Sequence, residues 1–394
     1  MSEVVVVEAV RTPFGKRNGG LSTMHSVELL ALAQRALIDR AGIDPGEVGQ
    51  VVGGCVGQVG MQSNNVTRIA WLTAGLPLEV AATTVDSQCG SSQQATNLAY
   101  ALVASGVVDS AVACGVEIMS RVPMGATVPK DPFVGKPVTR AYWKHHEWTS
   151  QFEGAERIAD KWGITRDHAD AFGKQSQDRA IAAWAEGRFD GQIVPVEAPL
   201  PKSGDDGDAD PGTQTVTRDE GLRETTLEQL AGLKSVAREN GVHTAGSSSQ
   251  ISDGASAVLL MTADKAEKLG LRPLAGIVDS CLVGSDPVLM LTGPIEATRH
   301  LLGRTGLGID DIDLFEVNEA FASVVLAFQQ ECGADPARVN PNGGAVALGH
   351  PLGATGSGLI TKAVHELHRT NADRALVTMC CGGGLGTGTI LERF

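Results

Sequence analysis

No stretch of this 394-residue chain comes near the roughly 18 consecutive apolar residues that a membrane-crossing helix needs. A protein without a membrane partner is therefore expected. None of its seven cysteines stands in a CxxC pair, and two of them, Cys380 and Cys381, are neighbours. An odd number with an adjacent pair argues for reduced thiols, and against a disulfide frame or a zinc site. Positive charge is also short: 32 Lys and Arg against 46 Asp and Glu give a formal net charge of −14. Nucleic-acid binders usually carry a basic field, so nucleic acid is not an expected partner. An anionic ligand would have to be held by local cations or backbone N–H groups. The opening MSEVVVVEAVRTPFGK has no basic start, apolar stretch and small-residue cleavage site of an export signal, and the closing LERF is no peroxisomal address. A cytoplasmic location is the expectation.

Glycine is what the chain has in excess, with 48 residues, about 12% against an average of roughly 7%. It concentrates in 343–358 and 382–388, where it implies tight turns and close backbone approach. Composition is globular, with 42% hydrophobic and 20% charged residues, and the length allows about two or three domains.

The first 120 residues alternate strands with helices. VVVVEAV (4–10) reads as an apolar strand, and Ser26 to Ala41 has helical spacing that ends near Gly42. VGQVVGGCV (48–56) and TTVD (83–86) read as strands, the second leading into a helix from Cys89 to about Ser105, and DSAVACGV (109–116) follows as another strand. Such alternation makes a mainly parallel sheet covered by helices, an α/β fold. From about 121 to 245 it gives way to helices and polar loops, including SGDDGDADPGTQT (203–215), before the strand AVLLMT (257–262) resumes it. From about 272 it restarts: strand LAGIVDSCLVG, helix IEATRHLLGRT, strand DIDLFEVN, helix EAFASVVLAFQQ, a helix over 354–369, strand RALVTMCC and strand TGTILERF. The expected division is an N-terminal α/β half (1–120), a loop domain (121–245), a return to the first half (246–271) and a C-terminal α/β half (272–394). TTVDSQCGSSQQATNLAYALVASGVVDSAVACG and GGAVALGHPLGATGSGLITKAVHELHRTNADRALVTMCCGG share the layout loop, helix, strand, glycine. This reads as an internal duplication that puts Cys89 and His350 in matching places, each just before a helix.

Several residues could carry chemistry. A cysteine at a helix N-terminus feels the positive end of the dipole, which favours thiolate; Cys89, flanked by small polar residues, is such a candidate. Its position is equally that of a cysteine packed at a strand–helix junction. Asn318 and Glu319 stand at a strand end, where polar residues of parallel sheets face the ligand crevice, although capping of the next helix would explain them too. His350, set among glycines and followed by Pro351, could take a proton or hold an oxyanion. Cys380 could exchange a proton beside Cys89, with the Gly382 N–H helping to hold an oxyanion. Side chains alternate along a strand, so only one of Cys380 and Cys381 should face that site. The GGG run lacks both the GxxxxGK[ST] lysine and the GxGxxG order, so ATP and NAD are not expected.

RTPFGK, VDSQCGSSQQA, VNEAFA, GGAVALGHPLGATG and CCGGGLGTG together resemble the thiolase family, in its order and spacing and over essentially the whole chain. The resemblance implies two similar five-stranded α/β halves stacked as five layers, with an inserted loop domain. It implies acyl transfer between coenzyme A and a 3-ketoacyl chain, with no metal, no permanently bound cofactor, and acyl-CoA and CoA as partners. By matching, Cys89 is the nucleophile. His350 activates it and shares an oxyanion hole with a water held by Asn318. Cys380 is the second acid and base, and the N–H groups of Cys89 and Gly382 form the other oxyanion hole. Arg223, Ser249 and Met290 match coenzyme A and substrate contacts. Leu291 replaces a glycine common in the family, and TSQFEGA (149–155) lacks the His-Met pair of short-chain acetoacetyl enzymes. Both departures point away from acetoacetyl-CoA. HTAGSSSQISDGA and VDSQCGSSQQA look most like actinobacterial thiolases that shorten bulky CoA esters, including sterol side chains. Thiolases of two such halves resemble homodimers that pair into homotetramers. The competing readings are an acetoacetyl-CoA-forming biosynthetic thiolase, a β-ketoacyl synthase (which normally has no second thiol at the Cys380 position) and a non-catalytic acyl-CoA or lipid carrier.

Overall fold

The computed structural model describes residues 3–128, 130, 131, 133–201 and 212–394. Its strands are β1 (Val4–Arg11), β2 (Gly15–Lys16), β3 (Gln50–Gly54), β4 (Ala81–Val85), β5 (Ser110–Ile118), β6 (Val196–Pro199), β7 (Thr213–Val216), β8 (Ser252–Thr262), β9 (Ala275–Gly284), β10 (Leu314–Val317), β11 (Arg374–Cys381) and β12 (Leu385–Arg393). Its α-helices are α1 (Ser26–Ala41), α2 (Val66–Thr73), α3 (Ser91–Ala104), α4 (Gln151–Trp162), α5 (Arg166–Ala185), α6 (Leu227–Ala231), α7 (Ala263–Lys268), α8 (Gly293–Thr305), α9 (Ala322–Cys332), α10 (Ala345–Leu348) and α11 (Leu352–Thr370).

Strand pairing makes the duplication explicit. In the first half the order is β4-β3-β5-β8-β1, and in the second β10-β11-β12-β9. β3 runs parallel to both β4 and β5, β5 antiparallel to β8, and β8 antiparallel to β1. β10 runs parallel to β11, β11 antiparallel to β12, and β12 antiparallel to β9. A single parallel bridge from Phe315 to Val339 stands where β4 stands in the first half. The halves join edge to edge through β1 and β9, which pair only at Val5 with Gly276 and Val6 with Ala275.

Because side chains alternate along a strand, each half buries two faces. Val5 and Val7 of β1 pack outward with Leu29, Leu30 and Leu37 of α1 and Trp71 of α2. Val4 and Val6 pack inward with Ala95 and Val103 of α3, Ile360 and Leu367 of α11, and Val377 of β11. On the far side, Phe315 and Ile390 meet Leu301 of α8 and Phe328 of α9. The layers therefore run helix, sheet, helix, sheet, helix, with α3 and α11 in the middle. Residues 203–211 of the expected polar loop lie outside the described residues. Thr213–Val216 beyond them is a strand paired with β6, which the polar composition did not suggest.

Two expected boundaries move. The helix after β4 begins at Ser91, with Gly90 in the cap position, so Cys89 precedes the helix. Asn318 caps nothing, since α9 begins at Ala322 after Phe321. The central helices cross at their first turns with backbone against backbone. A Cβ on Gly356 would lie 2.2 Å from the Gln93 nitrogen, and the Ser357 N–H donates to Ser92 Oγ at 2.9 Å. In Gly356→Ala, up to ~1 kcal/mol of helix propensity is set against overpacking of about 1–3 kcal/mol or more, because neither backbone can yield cheaply. Thermal denaturation should show a lowered Tm; an unchanged or raised Tm would mean the helices can separate.

Candidate active site

The strand ends and the two central helices bring the candidate residues to one place. Cys89 sits in a tight turn between β4 and α3. Gln88 holds a φ of +54°, a left-handed conformation uncommon for a non-glycine residue. Local bonds enforce it: Asp86 Oδ1 accepts from the Gln88 N–H at 2.7 Å, and Ser91 Oγ accepts from the Ser87 N–H at 3.0 Å while donating to the Gln88 carbonyl at 2.6 Å. Gly382 lies against this turn, where any Cβ would come within 3.1 Å of Gln88 Oε1. The N–H groups of Gly382 and of Cys89 itself both act on the Cys89 sulfur and lower its pKa. Burial outweighs them and pushes the thiol up to about 11. The thiolate favoured by a helix N-terminus is opposed here by burial, although Cys89 stays partly exposed and stands before the helix.

His350 is buried, and burial lowers its imidazole to about 4, so it is neutral at pH 7. Its tautomer follows from its neighbour. Thr355 Oγ1 donates to the Pro351 carbonyl at 2.8 Å and lies 2.7 Å from His350 Nδ1. Its one proton being used, the hydroxyl accepts, so Nδ1 carries the hydrogen and Nε2 is the basic nitrogen. Nε2 accepts a long hydrogen bond from Asn318 Nδ2 at 3.4 Å. The Asn318 N–H is fixed by the Thr378 carbonyl at 3.0 Å, and its side-chain Oδ1 is buried with no partner among the described residues. The His350 N–H donates to Ser252 Oγ at 3.0 Å. A neutral thiol beside two N–H donors and a neutral imidazole with a basic Nε2 are the groups that nucleophilic acyl transfer needs: a nucleophile, a base and places for developing negative charge.

Cys380 and Cys381 take opposite faces of β11, as alternation requires. Cys381 belongs to the core between the sheets, its Sγ lying 2.5 Å from where a Cβ on Gly90 would stand. Cys380 lies in a separate apolar cluster with Met290, Leu291, Phe321 and the edge of Phe152. Burial raises its pKa well above that of a free thiol, and nearby Cys89 adds to the rise. Met290 holds a φ of +60°, and the Leu291 N–H bonds to the Leu289 carbonyl at 2.6 Å, so the methionine is set by a strained γ-turn.

Of the sequence-predicted residues, Gly382 and Cys380 lie against Cys89, Asn318 faces His350, and Met290 shares the apolar cluster of Cys380. Ser249 donates its N–H to the carbonyl of Ala320, two residues after Asn318, at 2.9 Å. Arg223 lies apart: it is exposed, and its N–H is held by Gln177 of α5 at 2.9 Å. Glu319 contacts no candidate group; its carboxylate accepts from Ser176, Asn340 and the Val346 N–H and braces the glycine-rich loop. Sequence reasoning missed Thr355. A hydroxyl five residues after a candidate histidine was the available signal, and only the start of α11 turns it back onto the ring.

Comparison with known proteins agrees with this arrangement. The model of the N-terminal thiolase domain matches residues 4–264 and that of the C-terminal thiolase domain residues 271–393. The chain is 47% identical to the steroid 3-ketoacyl-CoA thiolase FadA6 of Mycobacterium tuberculosis, over 100% of this chain and 95% of that protein. It is 39% identical to a 3-ketoacyl-CoA thiolase of Bacillus subtilis over the full length of both. The crystal structure of the Bacillus anthracis acetyl-CoA acetyltransferase superposes with a TM-score of 0.91 at 34% identity, covering 100% of this chain and 99% of that one. The chain belongs to the thiolase family. It is accordingly an acyltransferase of the α/β thiolase fold that acts on CoA thioesters.

Two measurements bear on the electrostatics. Carboxymethylation of Cys89 by iodoacetate, followed by mass spectrometry, should quicken steadily as pH rises toward about 11; a plateau near pH 7 would reveal a preformed thiolate. Thr355→Val leaves the Nδ1–H without an acceptor, at about 1–3 kcal/mol. Steady-state kinetics should show kcat down on the order of tenfold or more.

Proposed function

We propose that the protein cleaves 3-ketoacyl-CoA with CoA, giving acetyl-CoA and a shortened acyl-CoA through an acyl-Cys89 intermediate. The observation that carries this is the convergence of the Cys89 and Gly382 N–H groups on the Cys89 sulfur, in a chain that also holds a buried neutral histidine with a basic Nε2. His350 Nε2 takes the Cys89 proton as the sulfur attacks the 3-keto carbon. The resulting oxyanion, on the carbon bound to that sulfur, lies within reach of the N–H groups of Cys89 and Gly382. The Cα–Cβ bond breaks, Cys380 protonates the departing enolate, and the enolate oxygen is met by the protonated Nε2 together with a water, for which the unpartnered Asn318 Oδ1 is suited. Cys380, now a thiolate, deprotonates CoA. The CoA thiolate takes the acyl group, and Cys89 recovers its proton from His350. Protons balance with no metal or redox cofactor in any step. Run backwards, the same groups would condense two acyl-CoA molecules, the biosynthetic alternative.

Residues 121–245 form the loop domain of this reading, with Arg223 and Ser249 along the CoA path. A bulky or steroid side-chain acyl group is supported by the apolar wall around Cys380, where Phe152 meets Phe321 edge-on at 5.5 Å, and by the steroid thiolase relative. Exposed Phe133, Val134, Trp143 and Trp148 favour assembly into a homodimer or homotetramer. No helix among the described residues is long and apolar enough to cross a membrane, in keeping with a cytoplasmic enzyme of lipid or steroid degradation.

Cys89→Ala should abolish the covalent acyl-enzyme seen by mass spectrometry after acyl-CoA addition, and an acyl group trapped on Cys380 or Cys381 would overturn the assignment. Thiolysis of a 3-ketoacyl-CoA series should favour sterol-derived over acetoacetyl esters.

A further inference from the structure

Glu117 is a buried carboxylate at the end of β5 for which the reaction above has no use. Its two oxygens are fully occupied. Oε1 accepts from the Gly57 N–H at 3.0 Å and Gln62 Nε2 at 2.6 Å. Oε2 accepts from the Val56 N–H at 3.0 Å and the Gly353 N–H at 2.9 Å. These four partners, and the Cys55 thiol 4.0 Å from Oε1, are donors, which leaves no acceptor for a carboxyl proton. Burial raises the titration of this group, and the same four bonds oppose the rise; the donor geometry favours the carboxylate.

These bonds join segments that are otherwise separate. Val56 and Gly57 follow β3, whose neighbour β4 leads to Cys89, and the Cys55 N–H is bonded to the Val85 carbonyl at the end of β4. Gly353 lies in the first turn of α11, three residues after His350. The fit leaves no slack: a Cβ on Gly353 would lie 2.4 Å from the Val116 carbonyl and 2.8 Å from Glu117 Oε2. We propose that Glu117 is a positioning residue that clamps the start of α11, and with it the His350 turn, to the strand ends that carry the Cys89 turn. The proposal rests on the reading of Cys89 and His350 as nucleophile and base. The negative charge also acts on Cys89, raising its pKa.

Reach and charge can be separated. Glu117→Gln keeps the reach but turns an NH₂ toward two N–H donors and removes the charge. Glu117→Asp keeps the charge but withdraws it from Gly353. Misplacement of a reacting group by about 1 Å costs on the order of 10²-fold, so each variant should lose roughly 10- to 100-fold in kcat with KM little changed. Amide exchange, read by mass spectrometry, should quicken in the peptide that begins α11. The pH profile of Cys89 carboxymethylation should move to lower pH in Glu117→Gln and stay in place in Glu117→Asp. Full kcat in either folded variant overturns the proposal, as does faster exchange spread evenly over the chain, or failure of both variants to fold, which would assign Glu117 to stability alone. If Glu117→Gln alone fails to fold, kcat and the exchange pattern of Glu117→Asp decide. Wild-type enzyme that keeps its activity after Cys89 is carboxymethylated would instead refute the nucleophile reading itself.

Discussion

Where α3 meets α11, the helices touch without side chains between them, and the placement of the site depends on that contact. Gly356 lies on the Gln93 backbone and Ser357 bonds to Ser92. The turn before each helix carries one candidate reacting group. A larger residue at the crossing would part the helices by more than a reacting pair tolerates. The surrounding layers, with their buried Val, Leu and Ile, hold the two helices at this distance from both sides.

Burial shapes the electrostatics more than any single charge does. It raises both Cys89 and Cys380 and lowers His350, so the three groups rest uncharged. A neutral resting state avoids holding an ion pair in a dry site. Charge then forms only as the sulfur attacks, where fixed N–H donors are already aimed.

Much of this was legible in the sequence, and the reasons differ by residue. The strands of both halves follow from apolar runs and the helix over Ser26–Ala41 from its spacing, with Gly42 in the left-handed conformation at its end. That Cys380 and Cys381 take different faces followed from strand alternation, and the choice of Cys380 came from family resemblance. The roles of Cys89, His350 and Asn318 came from family resemblance, because position by itself left each with an ordinary structural explanation. What stayed hidden depends on contacts far apart in the chain. The pKa of Cys89 is set by desolvation that no local pattern encodes, and Glu117 reaches Gly353 across 236 positions. β7 was hidden for another reason: a short strand in polar company has no periodicity to read.

The repeated topology has a consequence for how such a site can arise. Two identical halves associating as separate chains would place the same residue before both central helices, giving two sulfurs or two imidazoles. Only when both copies lie in one polypeptide can each drift independently, so that a thiol stands on one side of the crossing and a nitrogen base on the other. Carrying both copies in one polypeptide thus permits the asymmetry, and the two pairs joining β1 to β9 hold the unlike halves edge to edge.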